Sequence, residues 1–221
     1  MTQTVDAERD TKERILDAAE SLFARYGFAA TSLRQITAAA NVNLAAVNYH
    51  FQSKEALFVA VIKRKIGPIN ARRLVLLDGL ESQLPEVVPS VEQVMRAFFR
   101  PVFEAQLLGV ELGDFPQLLG RFYTEPGDRV ARVLGDMFGE VFVRFSRAFL
   151  RALPGLTPKD LAWGAHFMIG SMAHYLAAGE ILKFMSRGQV DPSDAEEACG
   201  RLVAFAAGGL EAMATARKRH A

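Results

Sequence analysis

The chain has one cysteine, one tryptophan and almost no net charge, with 26 Lys and Arg against 25 Asp and Glu in 221 residues. A lone Cys199 excludes an internal disulfide, and the N-terminus shows no basic-then-apolar leader, so cytoplasmic residence is the expectation. A balance of +1 excludes a uniformly basic protein and removes whole-chain charge as an argument for nucleic acid. There is no alternating pattern of strand type, no internal repeat and no low-complexity tract. Also missing are G-x-S-x-G, a glycine-rich phosphate loop and clustered metal ligands, so neither catalysis nor a cofactor nor a metal is expected. Carboxylates are plentiful but scattered over amphipathic helices, and His166 and His174 have no carboxylate at metal spacing. Leu161–Gly179 carries no Asp, Glu, Lys or Arg, which raises a transmembrane question. His166, Ser171 and His174 interrupt it and its glycines and alanines weaken it, so a helix packed against protein is the better reading and no membrane partner is expected.

Half of the residues are hydrophobic, enough for a large core in one or two domains. The most informative stretch is Thr31 to Leu57. Ser32 with Gln35 fits a capping box opening a helix from Leu33 to about Ala40, whose Leu33, Ile36 and Ala40 share one face. Asn41 tolerates the left-handed backbone of a helix end, and Asn43 can cap a second helix, Leu44 to about Phe51, with Val47 and Phe51 inward. Ser53 caps a third, burying Leu57 and Val61 together with Phe58, Ile62 and Ile66. Upstream, Asp10 and Glu13 have capping-box spacing ahead of a helix burying Ile15, Ala19, Leu22, Phe23 and Tyr26, which Gly27 ends. Two short helices with a tight joint are the outline of a helix-turn-helix, so residues 9–66 are expected to fold as a DNA-binding unit, with the motif at about 32–51. From Ser21 to Val75 eight basic residues, Arg25, Arg34, Lys54, Lys63, Arg64, Lys65, Arg72 and Arg73, face the single acid Glu55. That local excess suits phosphates, and a solvated helical face is an equal alternative.

Beyond residue 66 the pattern is helical throughout, so the fold class is all-α: about nine helices, with residues 67–221 forming a second, bundled domain. Gly67-Pro68 is expected to break or kink the chain, and further helices are expected at roughly 69–83, 90–109, 114–123, 127–153, 158–185 and 193–216. Pro101 should kink its helix near Phe98 to Phe103. From Asp128 to Leu153, one stripe of Val130, Leu134, Met137, Val141, Phe145 and Ala148 adjoins another of Val133, Phe138, Phe142 and Phe149. So wide an apolar surface predicts a helix in the middle of the bundle. Most of the 16 phenylalanines are core by default. Phe98, Phe99, Phe103, Phe115, Phe122, Phe138, Phe142, Phe167 and Met168 nonetheless all belong to the central helices and could line an apolar pocket.

The residues ILDAAESLFARYGFAATSLRQITAAANVNLAAVNYHFQSKEALFVAVI resemble, without gaps, the N-terminal domain of the TetR family of transcriptional repressors. Asn41 stands where that family has glycine and Asn48 where it often has tyrosine, which suggests a subgroup with its own operator. The resemblance implies a double-stranded DNA operator contacted by Thr31, Ser32, Arg34, Asn43, Leu44, Ala45, Ala46, Asn48, Tyr49, His50 and Lys54. Among these, only Asn48 on the recognition helix carries a bidentate base-reading amide, while Thr31, Ser32, Arg34, Tyr49, His50 and Lys54 suit phosphates. The stretch FPQLLGRFYTEPGDRVARVLGDMFGEVFVRFSRAFLRALPGLTPKDLAWGAHFMIGSMAHYLA is similar to the PsrA-type, fatty-acid-responsive branch. What that similarity implies is a hydrophobic small-molecule effector, a long-chain fatty acid or acyl-CoA, near Phe98, Phe99, Phe103, Arg121, Phe122, Phe138, Phe142, His166 and Phe167. Arg121 could meet a carboxylate or form a salt bridge with Glu125 or Asp128. Gly164, Gly170, Ala173, Ala177 and Gly179, with Ala195, Ala198, Ala206, Gly209 and Ala212, would let the last two long helices approach closely. By family resemblance they pair with a second copy in a homodimer; packing within one chain is the alternative. The function implied is a repressor released by ligand, with activation left open. The alternatives are the same fold answering another apolar or aromatic ligand, or a helical ligand-binding protein without DNA function.

Overall fold

The computed structural model describes residues 2–83, 85–108, 110–113, 115–116, 118 and 128–216, and among these there are eight bounded α-helices, a short 3-10 turn and no strand. The helices are α1 (Thr2–Ala30), α2 (Leu33–Ala40), α3 (Leu44–Phe51), α4 (Lys54–Glu81), α5 (Val91–Phe103), α6 (Asp128–Ala152), α7 (Pro158–Met185) and α8 (Ala195–Ala216). The 3-10 turn is Ala105–Leu108, and Phe115, Pro116 and Leu118 are also helical. The expected helix at 114–123 lies for the most part outside the described residues, as do Arg121, Phe122 and Glu125.

Local chemistry explains the boundaries. Ser32 caps α2 in a reciprocal box: the Gln35 N–H donates to Ser32 Oγ at 3.3 Å and the Ser32 N–H to Gln35 Oε1 at 2.7 Å. Asn41 ends α2 in the left-handed conformation, φ 52° and ψ 52°. Asn43 Oδ1 accepts the Ala46 N–H at 2.9 Å at the start of α3, and Ser53 Oγ accepts the Ala56 N–H at 3.0 Å at the start of α4. The same device opens α5 at Ser90 with Gln93, and α7 at Thr157 with Asp160. Within α1, Gly27 breaks the helix with φ 82° and ψ 167°, a backbone that only glycine adopts without strain.

Several expectations need correction. Asp10 and Glu13 do not open a helix: α1 begins at Thr2 and the pair lies inside it. Capping-box spacing is also one helical turn, so it recurs in surface ion pairs; Asp10 accepts from Arg14 Nε at 3.2 Å and Glu13 from Arg64 at 3.0 Å. Tyr26 is exposed, and Leu16 and Ala24 are buried beside Ile15, Ala19 and Phe23. Gly67-Pro68 does not break the chain, because α4 runs through it. An internal proline costs about 3 kcal/mol, and the buried Ile62, Ile66 and Ile69 around it offset that loss. Pro101 lies inside α5 as expected, but the helix ends at Phe103 rather than near residue 109. The apolar face of α6 is narrower than expected: Val141, Phe145, Ala148 and Phe149 are buried, whereas Phe142 and Val143 are exposed. Glu140, Arg147 and Arg151 share its outer side, and the side chains of Val130, Val133 and Leu134 lie outside the described ones.

Two compact units result, Met1–Gly67 with Leu112–Met137, and Pro68–Glu111 with Phe138–Ala221. In the first, α2 and α3 pack on α1. Phe23, Phe28 and Phe58 form an aromatic triangle with centroids 5.2–5.7 Å apart, an edge-to-face arrangement at Phe58. In the second, α8 packs on both α5 and α7, burying Val94, Phe99, Phe145, Leu161, Val203 and Leu210. No helix among the described residues is long and apolar enough to cross a membrane.

The contact of α7 with α8 depends on Gly164, where an added Cβ would lie 2.3 Å from Leu210 Cδ2. Leu210 is itself buried, and its terminal methyl has to shift toward the cleft that the residue lines to admit the new group. Gly164→Ala is expected to destabilise the fold by about 1–3 kcal/mol through overpacking, a loss readable as a lower urea midpoint at unchanged slope.

Candidate nucleic-acid interface

The inward residues of α3 are Val47 and Phe51, both buried, and this fixes what the opposite side presents. Leu44, Ala45, Asn48 and Tyr49 are exposed, Tyr49 at 72%, while Ala46 and His50 are half-buried. The Tyr49 ring meets His50 edge-on at 5.0 Å. Ser32, Arg34 and Asn43 are exposed on the neighbouring helix start and joint. Ser32, Arg34, Asn43, Leu44, Ala45, Asn48 and Tyr49 thus lie exposed on α2, α3 and the joint between them, with a cap at the start of each helix.

Two residues of that set point elsewhere. Thr31 is only 1% exposed, and its hydroxyl donates to the Gly27 carbonyl at 2.7 Å. That carbonyl belongs to the broken end of α1, where backbone acceptors lack helical partners. Lys54 is half-buried: its Nζ donates to the Phe28 and Thr31 carbonyls at 2.9 and 2.8 Å and lies 4.3 Å from the Phe28 ring centroid. The ammonium thus closes the end of α1 onto the first turn of α4. Only Gln52 and Ser53 separate α3 from α4, and Gln52 takes φ 62° and ψ −37° while the Ser53 N–H donates to the Phe51 carbonyl at 2.7 Å. This is a γ-turn with positive φ, a rare and strained joint that sets the angle between the two helices.

The local positive charge is smaller in space than along the sequence. Arg64 donates to Glu13, Asp17 and Glu20 of α1 at 3.0, 2.7 and 2.7 Å, and Lys65 reaches Glu20 at 3.0 Å. Burial alone would lower the Arg64 pKa, but its bonds to Glu20, Asp17 and Glu13 outweigh that and hold it above the ordinary value. Arg73 is 2% exposed, donates to the Phe98 carbonyl and Asn70, and stacks on the Phe98 ring at 4.3 Å. Arg25, Arg34, Lys63 and Arg72 are the exposed cations of the stretch. The signal missed was pairing with acids just upstream of the counted window.

Among the described residues the expected effector set divides between the bundle core and a cleft, and Arg121 and Phe122 lie outside them. Phe98 and Phe99 are core, with Phe98 edge-on to Phe99 and Phe145 at 5.4 and 5.2 Å. The space beside Phe98, Phe142, Phe145 and Met168 is about 30 Å³, room for one water at most. Phe138 and Phe142 stack on each other at 5.8 Å, and Phe103 lies against Tyr175 at 5.3 Å. His166 and Phe167 instead line a cleft of about 660 Å³ between α7 and α8, with Gly170, Phe205, Gly209 and Met213. Trp163, Phe167 and Phe205 are exposed beside it, Phe205 at 71%. Among the described residues no group of His, Cys, Asp and Glu could hold a metal.

Residues 15–61 match the family described as bacterial regulatory proteins, tetR family, and residues 96–209, more than half of the chain, match the tetracyclin repressor-like C-terminal domain. The chain belongs to the TetR family. Among its TetR relatives are the transcriptional regulators RutR of Escherichia coli K12, 43% identical over 53 residues, and AcrR of Shigella flexneri, 31% identical over 100. These alignments take in 24% and 38% of the chain and only 25% and 46% of the relatives, well under two thirds of their length. In fold, the protein is similar to a Clostridium perfringens protein described as a fatty acid metabolism regulator, with a TM-score of 0.62 and 18% identity over 89% of this chain and 97% of that one. It is similar also to the fatty acid degradation regulator FadR of Bacillus halodurans, with a TM-score of 0.56 and 15% identity over 90% and 96%. At such identities the likeness is one of TetR architecture.

Lys54→Met keeps the stem on Phe28 and removes both bonds to carbonyls. It is expected to lower stability in urea by about 2 kcal/mol with no DNA present, whereas a lysine serving only phosphates would leave the unliganded protein unchanged.

Proposed function

We propose that the protein is a DNA-binding transcriptional regulator, most simply a repressor, that binds a palindromic operator as a homodimer and is released by a hydrophobic small molecule. The observation carrying this reading is the exposed α3 face of a TetR-family chain, Leu44, Ala45, Asn48 and Tyr49, held rigid by the caps at Ser32 and Asn43. Residues 9–66 would serve DNA, and 67–221 the effector and the second copy. Asn48 pairs with adenine through its amide, Leu44 and Ala45 offer apolar contact to thymine methyls, and Ser32, Arg34, Tyr49 and His50 meet phosphates. Thr31 and Lys54 act from behind by fixing where α2 begins.

The cleft between α7 and α8 is the surface we assign to a second copy. Exposed aromatic side chains around small residues characterise protein–protein interfaces, and Trp163, Phe167 and Phe205 flank Gly170 and Gly209 there. A two-fold pair would set two copies of α3 one helical turn of DNA apart, about 34–36 Å or a multiple. An effector entering near Phe98 and Phe142 has to make its own room, which links its binding to a repacked bundle and hence to operator affinity. Palmitoyl-CoA and palmitate are the first ligands to test, since two proteins of the same fold are described as fatty acid regulators. The lever is α4, which carries residues of both units.

Selection of bound duplexes from a pool with a randomised centre tests the reading: a palindrome should emerge and be released by the effector. Recovery of no preferred sequence at physiological salt would favour a helical ligand-binding protein without DNA function. Asn48→Ala should relax preference at one base pair in each half-site by about 1–3 kcal/mol, measured by competition between duplexes. Phe205→Glu places a charge in the α7–α8 cleft, and light scattering should then report the monomer mass.

A further inference from the structure

Three contacts, beside the buried Leu57, Val61 and Ile62, help to tie α4 to the rest of the first unit. Lys54 holds its first turn, Phe58 packs in the aromatic triangle, and Arg64 with Lys65 grips α1 near the boundary between the units. Glu13, Asp17 and Glu20 lie on one face of α1 at spacings of four and three residues, so a single guanidinium can engage all three. Glu20 is buried and bonds to Arg64 and Lys65 together. The apolar packing around Phe58 constrains α4 less directionally than the ion cluster, whose charged hydrogen bonds fix both distance and angle. Arg64 is ten residues beyond the Lys54 anchor, about 15 Å along the helix. A tilt of α4 about Lys54 therefore displaces Arg64, and Lys65 beside it, more than the contact at Phe58. In turn α1 packs directly on α2 and α3.

We infer that Arg64 is a positioning residue that makes α1 follow α4, so that a shift of α4 reaches the DNA-reading helices through α1. This rests on the proposed DNA function and names the joint through which it is regulated. Coupling is reciprocal, so operator binding must restrain α4 through the same joint, and the test needs no effector. Amide hydrogen exchange is measured with and without the selected duplex, in the wild type and in two variants. Arg64→Met keeps the apolar stem and leaves Glu20 paired with Lys65 alone, and the double variant Arg64→Met with Glu20→Gln also removes the carboxylate charge that holds Lys65.

In the wild type the duplex should slow exchange in α1, α3 and along α4 beyond residue 60. In both variants the protection of α3 should persist while that of α4 falls by roughly fivefold or more, the scale of an ordinary coupling free energy. Two results overturn the inference: protection of α4 that is as strong in the double variant as in the wild type, or no protection of α4 in the wild type although α3 is protected. A wild type that binds no duplex overturns the DNA reading and this inference with it, and the α3 signal distinguishes that outcome from the others. Should Arg64→Met alone fail to fold, the double variant decides.

Discussion

The ammonium of Lys54 ends between the carbonyls of Phe28 and Thr31 with the ring of Phe28 beneath it. Those carbonyls are available because Gly27 breaks α1, and the break is what lets the chain turn into α2. Thr31 returns its hydroxyl to Gly27, so helix break, turn and lysine form one closed set of donors and acceptors. Everything presented on α2 and α3 inherits its position from this set. A desolvated cation is costly without partners, and here two oriented dipoles and an aromatic face supply them, which makes the joint intolerant of displacement.

The second unit is organised differently. Its core is a layer of phenylalanine, valine and alanine where α8 meets α5 and α7, and close approach depends on Gly164 and on the alanines of α8. Charge appears at its margins, where Arg144 of α6 binds Asp78 and Glu81 at the end of α4, and Arg96 of α5 binds Glu196 of α8 at 2.9 Å. Arg73 is the exception, a buried guanidinium on Phe98. The first unit thus relies on specific polar joints and the second on apolar fit, which resists small shifts and permits larger repacking only as a step.

Much of the first unit was legible because its determinants are local. Ser32 with Gln35, the left-handed Asn41, and the caps at Asn43 and Ser53 are each decided within four residues, and the inward sets of α2, α3 and α4 follow from period alone. The inward bonds of Lys54 and Arg64 were not legible because their partners lie 23 to 51 residues away, and a residue count cannot see that a cation is already paired. Asp10 with Glu13 shows the converse, a local pattern with two physical uses. In the second unit, converging phenylalanines look alike whether they fill a core or line a pocket. Only packing distances separate Phe98 in the core from Phe167 on the cleft.

Cys199 is the chain's one thiol, it is buried in α8, and burial pushes its pKa up, so little thiolate is available for oxidation. Two copies therefore have no covalent tether to lock them together. In the proposed homodimer pairing is then reversible and set by how much protein is present, so occupancy of the proposed two-fold operator would rise with about the square of the free chain concentration while the chain is mostly monomeric. A modest change in synthesis or dilution at cell division would then be read as a larger change at the target.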